Sequence, residues 1–299
     1  MAFDVRAVGN FPCKPVNADS VLGKPQGAVF LILTARPGTW YNAYSISYQC
    51  GCSLLLDSGK TLLYEKQFEM QRKECSPMMI TAHSGSDGTP DNSLEFVHYV
   101  LSLRPDAFEI DVHRRSDGVL VIAHDADPSG AYADCPTLAE VCRLATSLPQ
   151  IGINYDCKEA GLELDVCALH SECCPGNPIF LSGTVSPALY RDRRADFRGA
   201  VPLLNAEEIV RDFYPRMLAG ESAACGKEAA EACKSCGASV VNVYCWCCPD
   251  PFLRELRDAG LNASVWTVDE PDLAELFRVR DVFNLTTRIP AELIRTFDR

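Results

Sequence analysis

The fold turns on residues 78–125, MMITAHSGSDGTPDNSLEFVHYVLSLRPDAFEIDVHRRSDGVLVIAHD, in which short polar clusters follow apolar runs. The run MMITA (78–82) has no helical stripe and delivers His83-Ser84-Gly85 at its end, as a buried strand tipped by polar groups would. Asp91-Asn92-Ser93 then opens the amphipathic segment LEFVHYVLSL, with Pro90 just ahead of a helix cap. In AFEIDVH, Glu109, Asp111 and His113 alternate with Ile110 and Val112, so three polar side chains share one strand face. Asp117-Gly118 marks a tight turn, after which VLVIA runs into His124-Asp125.

Two carboxylates on one strand face repel each other in a dry interior. A divalent cation held by hard oxygen ligands resolves that conflict, whereas an isolated E-x-D in water needs no such partner. His83, Asn92 and His124 all fall at element ends within fifty residues of one another. The ends of strands are where barrel enzymes keep their chemistry, which favours a site over a solvated face.

Outward from this stretch the chain alternates strand and helix. IGINYDCK, IFLSGTV, AVPLLNA, SVVNVYC, ASVWTVD and VFNLTT read as strands. PTLAEVCRLATSL begins at Pro136, SPALYRDRRADF carries Ser186 as cap and Pro187 in its first turn, and Asp250-Pro251 starts a helix closed by Gly260. The segment EEIVRDFYPRMLAGESAACGKEAAEACKSCG reads as one long helical stretch. Eight strands with intervening helices make a (β/α)8 barrel over residues 77–299. Residues 1–76, with GAVFLILTA, AYSISYQC, SLLLD and TLLYEKQFE, read as a small β-rich module of unassigned role, and Gly59-Lys60-Thr61 there fits a hairpin turn rather than a phosphate loop.

The order A-H-S-G, P-D-N-S, E-I-D-V, S-D-G-V-L-V, A-H-D resembles the glycerophosphodiester phosphodiesterase family, which reads H-R-G, P-E-N-T, E-x-D-V, x-D-G-x-x-V and H-D. The resemblance covers the barrel and implies metal-dependent hydrolysis of a glycerophosphodiester to glycerol phosphate and an alcohol. It assigns His83 and His124 as general acid and base, without saying which is which, and Glu109, Asp111 and Asp156 as ligands of Mg²⁺ or Ca²⁺. Lys158, Asn92 and Trp266, the last in ASVWTVD, would contact phosphate or substrate. Three departures stand out: Ser84 where the family has arginine, Asp91 for glutamate, and Asp156 for glutamate on the strand bearing Asn154 and Lys158. With Ser84 in that place, phosphate would rely on Arg114, Arg115 or an arginine of the 191–194 run. Only the ten residues ADPSGAYADC separate His124-Asp125 from Pro136, where the family commonly has a sizeable insertion, so the entrance should be open or covered by another part of the chain. Sphingomyelinase D-like enzymes share both barrel and short connection, which keeps a lysophospholipid-type phosphodiester as an alternative substrate, and a ligand-binding barrel without turnover as another.

A net charge of −12 argues against nucleic acid and anionic membrane as partners. No apolar stretch is long enough to span a membrane, and MAFDVRAVGNFPCKP has no signal-peptide core, so the expectation is a cytoplasmic protein. The sixteen cysteines then read as reduced thiols. Cys233, Cys236, Cys245, Cys247 and Cys248 have spacings a structural zinc could use, but buried free thiols suit their apolar neighbours better. His98, within a helix, and His113, beyond the carboxylate pair, are poor catalytic candidates.

Overall fold

The computed structural model of the protein describes residues 78–298. The β-rich module expected over residues 1–76 lies outside the described residues. Among the described residues nine strands form: β1 (Met79–Ala82), β2 (Ala107–Arg114), β3 (Leu120–Ile122), β4 (Gly152–Cys157), β5 (Ile179–Gly183), β6 (Val201–Asn205), β7 (Val240–Tyr244), β8 (Asn262–Trp266) and β9 (Asn284–Thr287). Eight of them pair in parallel in the order β1-β2-β4-β5-β6-β7-β8-β9, and β9 pairs back onto β1 through Met79↔Asn284 to Ala82↔Thr287. The expected (β/α)8 barrel is thus closed. β3 stands outside the ring as the antiparallel arm of a hairpin on β2, turned at Asp117-Gly118 with Gly118 at φ 89°.

Helices follow where the capping chemistry puts them. In α1 (Leu94–Leu103) the Ser93 hydroxyl accepts from the Phe96 amide. α2 (Leu138–Ala145) starts two residues later than Pro136 suggested, because Thr137 and Glu140 make a reciprocal capping box. α3 (Glu163–Cys173) and α4 (Pro187–Asp192) follow, the latter capped by Ser186 as expected. The stretch read as one helix breaks into α5 (Ala206–Ile209), α6 (Phe213–Leu218) and α7 (Ser222–Cys236). Asp212 at φ 53° and Gly220 at φ 83° interrupt it, and Pro215, with no amide hydrogen, is tolerated only because it opens a new helix. α8 (Asp250–Asp258), α9 (Pro271–Val279) and α10 (Pro290–Thr296) complete the outer layer. No helix among the described residues is long and apolar enough to cross a membrane.

The main core lies between the strands and this outer layer, where Phe96 meets Phe108 edge-on at 6.2 Å between centroids and Tyr155 and Phe252 are fully buried. One polar knot holds it behind β4. The Tyr155 hydroxyl lies 2.8 Å from His170 Nδ1, whose Nε2 reaches the Asn177 carbonyl at 2.9 Å. The Asn177 amide nitrogen is shared among the carbonyls of Ala145, Leu148 and Ile151, tying off the end of α2. Asn177→Ala removes this shared donor, although the Ala145 and Leu148 carbonyls keep the amides of Leu148 and Ile151, and the expected cost is about 1–2 kcal/mol. A urea titration reads it as a lower midpoint at unchanged slope; a loss below about 0.5 kcal/mol would show that water replaces the amide.

The twelve described cysteines are free thiols, nine of them buried. Among the described residues the only group of metal-ligating side chains close enough to share an ion is Glu109, Asp111 and Asp156, so the cysteine spacings do not assemble a zinc site there.

Candidate active site

Alternation by two residues divides each barrel strand into a face toward the helices and a face toward the lumen. The lumen is layered. Ala107, Phe180, Leu203 and Val240, with Met79, Val201 and Phe283 against them, make an apolar floor. Above it Thr81 donates to Asn284 at 2.7 Å, Asn284 to Ser264 at 2.9 Å, Asn242 to Asn205 at 2.8 Å and Asn154 to Ser182 at 3.0 Å. The next positions along the same faces, at the strands' C-terminal ends, are His83, Asp111, Asp156, Tyr244 and Trp266. The chemistry therefore collects at the mouth, over a sealed floor.

Register brings the acids together: Asp111 pairs with Asp156 and Glu109 with Asn154 across β2 and β4. Carboxylate oxygens of Glu109, Asp111 and Asp156 lie within 4.8 Å of one another. Glu109 is only 6 % exposed, and its Oε2 is buried without a hydrogen-bond partner. Burial first, and then the charges of Asp111 and Asp156, push its carboxyl well above the ordinary range, partly offset by Lys158. Lys158 Nζ bridges the other two, 2.7 Å from Asp111 Oδ1 and 2.5 Å from Asp156 Oδ2. Burial alone would lower its amine, but Asp156 and Asp111 outweigh that and hold it above its usual value. Three carboxylates against one ammonium leave negative charge uncompensated in a half-dry wall. An orphaned buried oxygen and an all-oxygen donor set fit a hard divalent cation.

The polar scaffold aims these groups. Asn92 Nδ2 donates to Asp111 Oδ2 at 2.6 Å, and its Oδ1 accepts from the Asp111 amide at 3.0 Å, so both ends of this side chain hold Asp111. Asn92 sits at φ 47°, a left-handed conformation in which its amide reaches the Ser84 hydroxyl at 2.5 Å. Ser84 is 1 % exposed: it is part of the wall that fixes Asn92. Ser182 donates to Asp156 Oδ1 at 2.9 Å. Gly183, at φ 76°, lies so close behind that a Cβ would stand 2.6 Å from that same oxygen and 2.4 Å from the Cys157 carbonyl.

His83 ends β1. Its Nδ1 donates to the Ser84 carbonyl at 2.7 Å, which leaves the Nε2 lone pair on the side of Glu109 Oε2, 3.7 Å away. Burial, and secondarily Arg288, lower its pKa below the ordinary 6.5 despite the carboxylates nearby, so the ring is neutral at pH 7. His124 is different: its side chain is 63 % exposed, with Nδ1 2.8 Å from Asp125. It lines an open cleft of about 500 Å³ together with Asp91, Asn92, Cys135 and Pro136, so the short ADPSGAYADC connection borders that cleft. His113 is buried, stacked on Tyr132 at 5.3 Å with Nε2 3.4 Å from the His124 carbonyl, and supports the backbone of His124.

The arginines expected to meet phosphate are engaged elsewhere. Arg114 pairs with Asp165, Arg115 with Asp117, Arg191 with Asp192 and Arg193 with Asp196, while Arg194 stacks on Tyr190. The cation beside His83 is instead Arg288, exposed, just beyond β9, and absent from the described ion pairs. Sequence pattern also passes over Glu207, Tyr214 and Tyr244. Tyr244 has a signal, since it ends the alternation Asn242-x-Tyr244 and is in register with Trp266. Glu207 has none, hidden in a stretch patterned as helix.

No family model matches the chain, and no curated protein does. Solved structures do. An Oleispira antarctica phosphodiesterase in complex with the product sn-glycerol-3-phosphate superposes with a TM-score of 0.58 at 19 % identity, covering 75 % of this chain and 97 % of that one. A glycerophosphodiester phosphodiesterase from Parabacteroides distasonis gives 0.56 at 18 % (74 % and 97 %), and one from Thermotoga maritima 0.56 at 17 % (74 % and 99 %). The barrel has the glycerophosphodiester phosphodiesterase fold. At these identities the likeness speaks for architecture, and activity rests on the residues at the mouth.

Proposed function

We propose that the barrel hydrolyses a glycerophosphodiester to glycerol phosphate and an alcohol with a bound divalent cation. The observation that carries this reading is the convergence of the neutral His83 ring and three carboxylates, one with an orphaned buried oxygen, at the mouth of such a barrel. Glu109, Asp111 and Asp156 would hold the cation, with Asn92 orienting Asp111. Oxygens up to 4.8 Å apart suit Ca²⁺, with bonds of about 2.3–2.6 Å, as they stand, while Mg²⁺ at about 2.0–2.1 Å would draw them together. The cation supplies Lewis acidity to the phosphoryl oxygens when bound. Lys158 and Arg288 add positive charge for the phosphate, in place of the arginine that the family has at Ser84.

The two histidines divide the proton work. His83, with Nδ1–H held by the Ser84 carbonyl, has a free lone pair at Nε2 and takes the proton from the attacking water. His124, with Nδ1 on Asp125, has its other ring nitrogen for the leaving oxygen. Trp266 packs on the glycerol or alcohol.

The test is release of alcohol or glycerol phosphate from glycerophosphocholine, glycerophosphoethanolamine and bis-nitrophenyl phosphate, with Mg²⁺, Ca²⁺, Mn²⁺ or EDTA. Turnover that EDTA reduces by about 100-fold or more is expected. Folded protein that turns over none of the panel with any metal would move the ligand-binding barrel to first place.

A further inference from the structure

Across the mouth from the three carboxylates stands a second group of side chains, of which the phosphodiesterase reading uses Trp266 alone. Tyr244 and Trp266 end adjacent strands in register, their ring centroids 5.4 Å apart and tilted by 52°. Glu207 follows β6, and the Tyr214 phenol lies within hydrogen-bonding reach of its carboxylate. Tyr244 is in turn close enough to help raise the pKa of the Tyr214 phenol. All four residues are half-buried.

Two atoms here are buried without any hydrogen-bond partner: Glu207 Oε2, an acceptor, and Trp266 Nε1, a donor. Orphans of both kinds at the same end of the barrel mark a place where a ligand completes the bonding. Their charge environment says what ligand. Among the described residues no lysine or arginine pairs with Glu207, and burial, followed by Glu208 and Asp156, pushes its carboxyl upward. A carboxylate without countercharge, with tyrosine and tryptophan rings at the ends of the next two strands, is the setting in which an organic ammonium gains most, because ring quadrupole and charge act together out of water.

We propose that Glu207, Tyr214, Tyr244 and Trp266 form a subsite for an ammonium-bearing alcohol, so that the substrates are phosphodiesters with a cationic head group such as choline or ethanolamine. This deepens the phosphodiesterase reading and rests on it for the position of the phosphate. The ammonium sits between the rings against Glu207, while Trp266 Nε1 donates to an oxygen of the same substrate. A hydroxyl in the same place satisfies Glu207 Oε2 but leaves its charge unbalanced, which separates cationic from neutral alcohols. Entry requires rotation of the half-buried rings and no change in the strands that carry them.

The test has a binding arm and a turnover arm, both on the full chain. Calorimetry compares choline, ethanolamine and 3,3-dimethylbutan-1-ol, the uncharged carbon isostere of choline. Cations are expected to bind at least about tenfold more tightly than the isostere, and Glu207→Gln and Tyr244→Leu should each collapse that ratio several-fold. In the turnover arm, kcat/KM for glycerophosphocholine and glycerophosphoethanolamine should exceed that for glycerophosphoglycerol by a similar factor, and Glu207→Gln should bring the values together. Choline and its isostere binding alike, or neither binding, overturns the subsite even if bis-nitrophenyl phosphate is hydrolysed. Cation selectivity without hydrolysis of any diester keeps the subsite and sinks the phosphodiesterase reading instead. The second variant guards against a Glu207→Gln protein that fails to fold.

Discussion

Glu109→Gln is expected to lower metal-dependent turnover by about a thousandfold or more and at the same time to raise the melting temperature of the metal-free protein. The two effects share one cause. Glu109 is buried beside Asp111 and Asp156, with Lys158 and the Ser84 backbone only partly offsetting the cost and no donor for its Oε2. Glutamine keeps the shape and removes a charge, which should stabilise the metal-free barrel by about 1–2 kcal/mol, or about 2–4 °C per kcal/mol at this size. Divalent cation should then stabilise the wild type, by about 2.7 kcal/mol at a concentration a hundred times its Kd, and scarcely move the variant. The pH dependence has a definite sign. Because the folded-state pKa of Glu109 is raised, the native state binds its proton more tightly than the unfolded chain does. Metal-free stability should therefore decline as pH rises from the ordinary carboxylate value of 4.5 through the raised one, and this decline should vanish in Glu109→Gln. Thermal melts with and without Ca²⁺ or Mg²⁺ across pH read all of this. An unchanged metal response in the variant would remove Glu109 from the ligand set.

His83→Ala should cost about 10²–10⁴ in kcat/KM. The pH profile is the sharper reading. Burial, then Arg288, lower the His83 pKa below 6.5, so the acid limb of wild-type kcat/KM should fall below pH 6.5. It should be lost in His83→Ala and move upward in Arg288→Ala, where one source of the depression is gone. Stability follows the opposite linkage from Glu109. The unfolded chain takes up the His83 proton more readily, so the native state loses stability as pH drops from 6.5 to the lowered value. His170, lowered by burial in its knot behind β4, adds to the same acid sensitivity. An acid limb that stays in place in both variants would assign the base elsewhere.

The barrel was legible because period-two alternation, capping residues and strand count depend on local chemistry alone. Glu109 and Asp111 sharing a face, Ser186 before Pro187 and the Asp117-Gly118 turn were all visible in that way. Pairings between distant segments were not. Arg114, Arg115, Arg191 and Arg193 looked free in sequence and are bound to acids, while Arg288 reaches His83 only because β9 closes against β1. Asn92 read as a substrate contact, and both ends of its amide lie on Asp111 across nineteen residues of chain. Glu207 was hidden because a helical pattern ran through it, and the backbone reversals at Asp212 and Gly220 that break that pattern turn on single φ angles.

The seam between β1 and β9 also fixes an order of events during synthesis. The His83 amide donates to the Thr287 carbonyl, and the Asp87 amide to that of Arg288, so the first loop of the site is anchored to the last strand of the ring. A nascent chain that already carries both histidines and all three carboxylates still lacks this anchor until β9 leaves the ribosome. Up to that moment β1 and β8 present open parallel edges, ready to pair with another chain. Ring closure between segments about two hundred residues apart is slow in entropic terms. The protein therefore acquires its reactive centre and loses its greatest aggregation hazard in the same step, and a truncated chain would have the hazard alone.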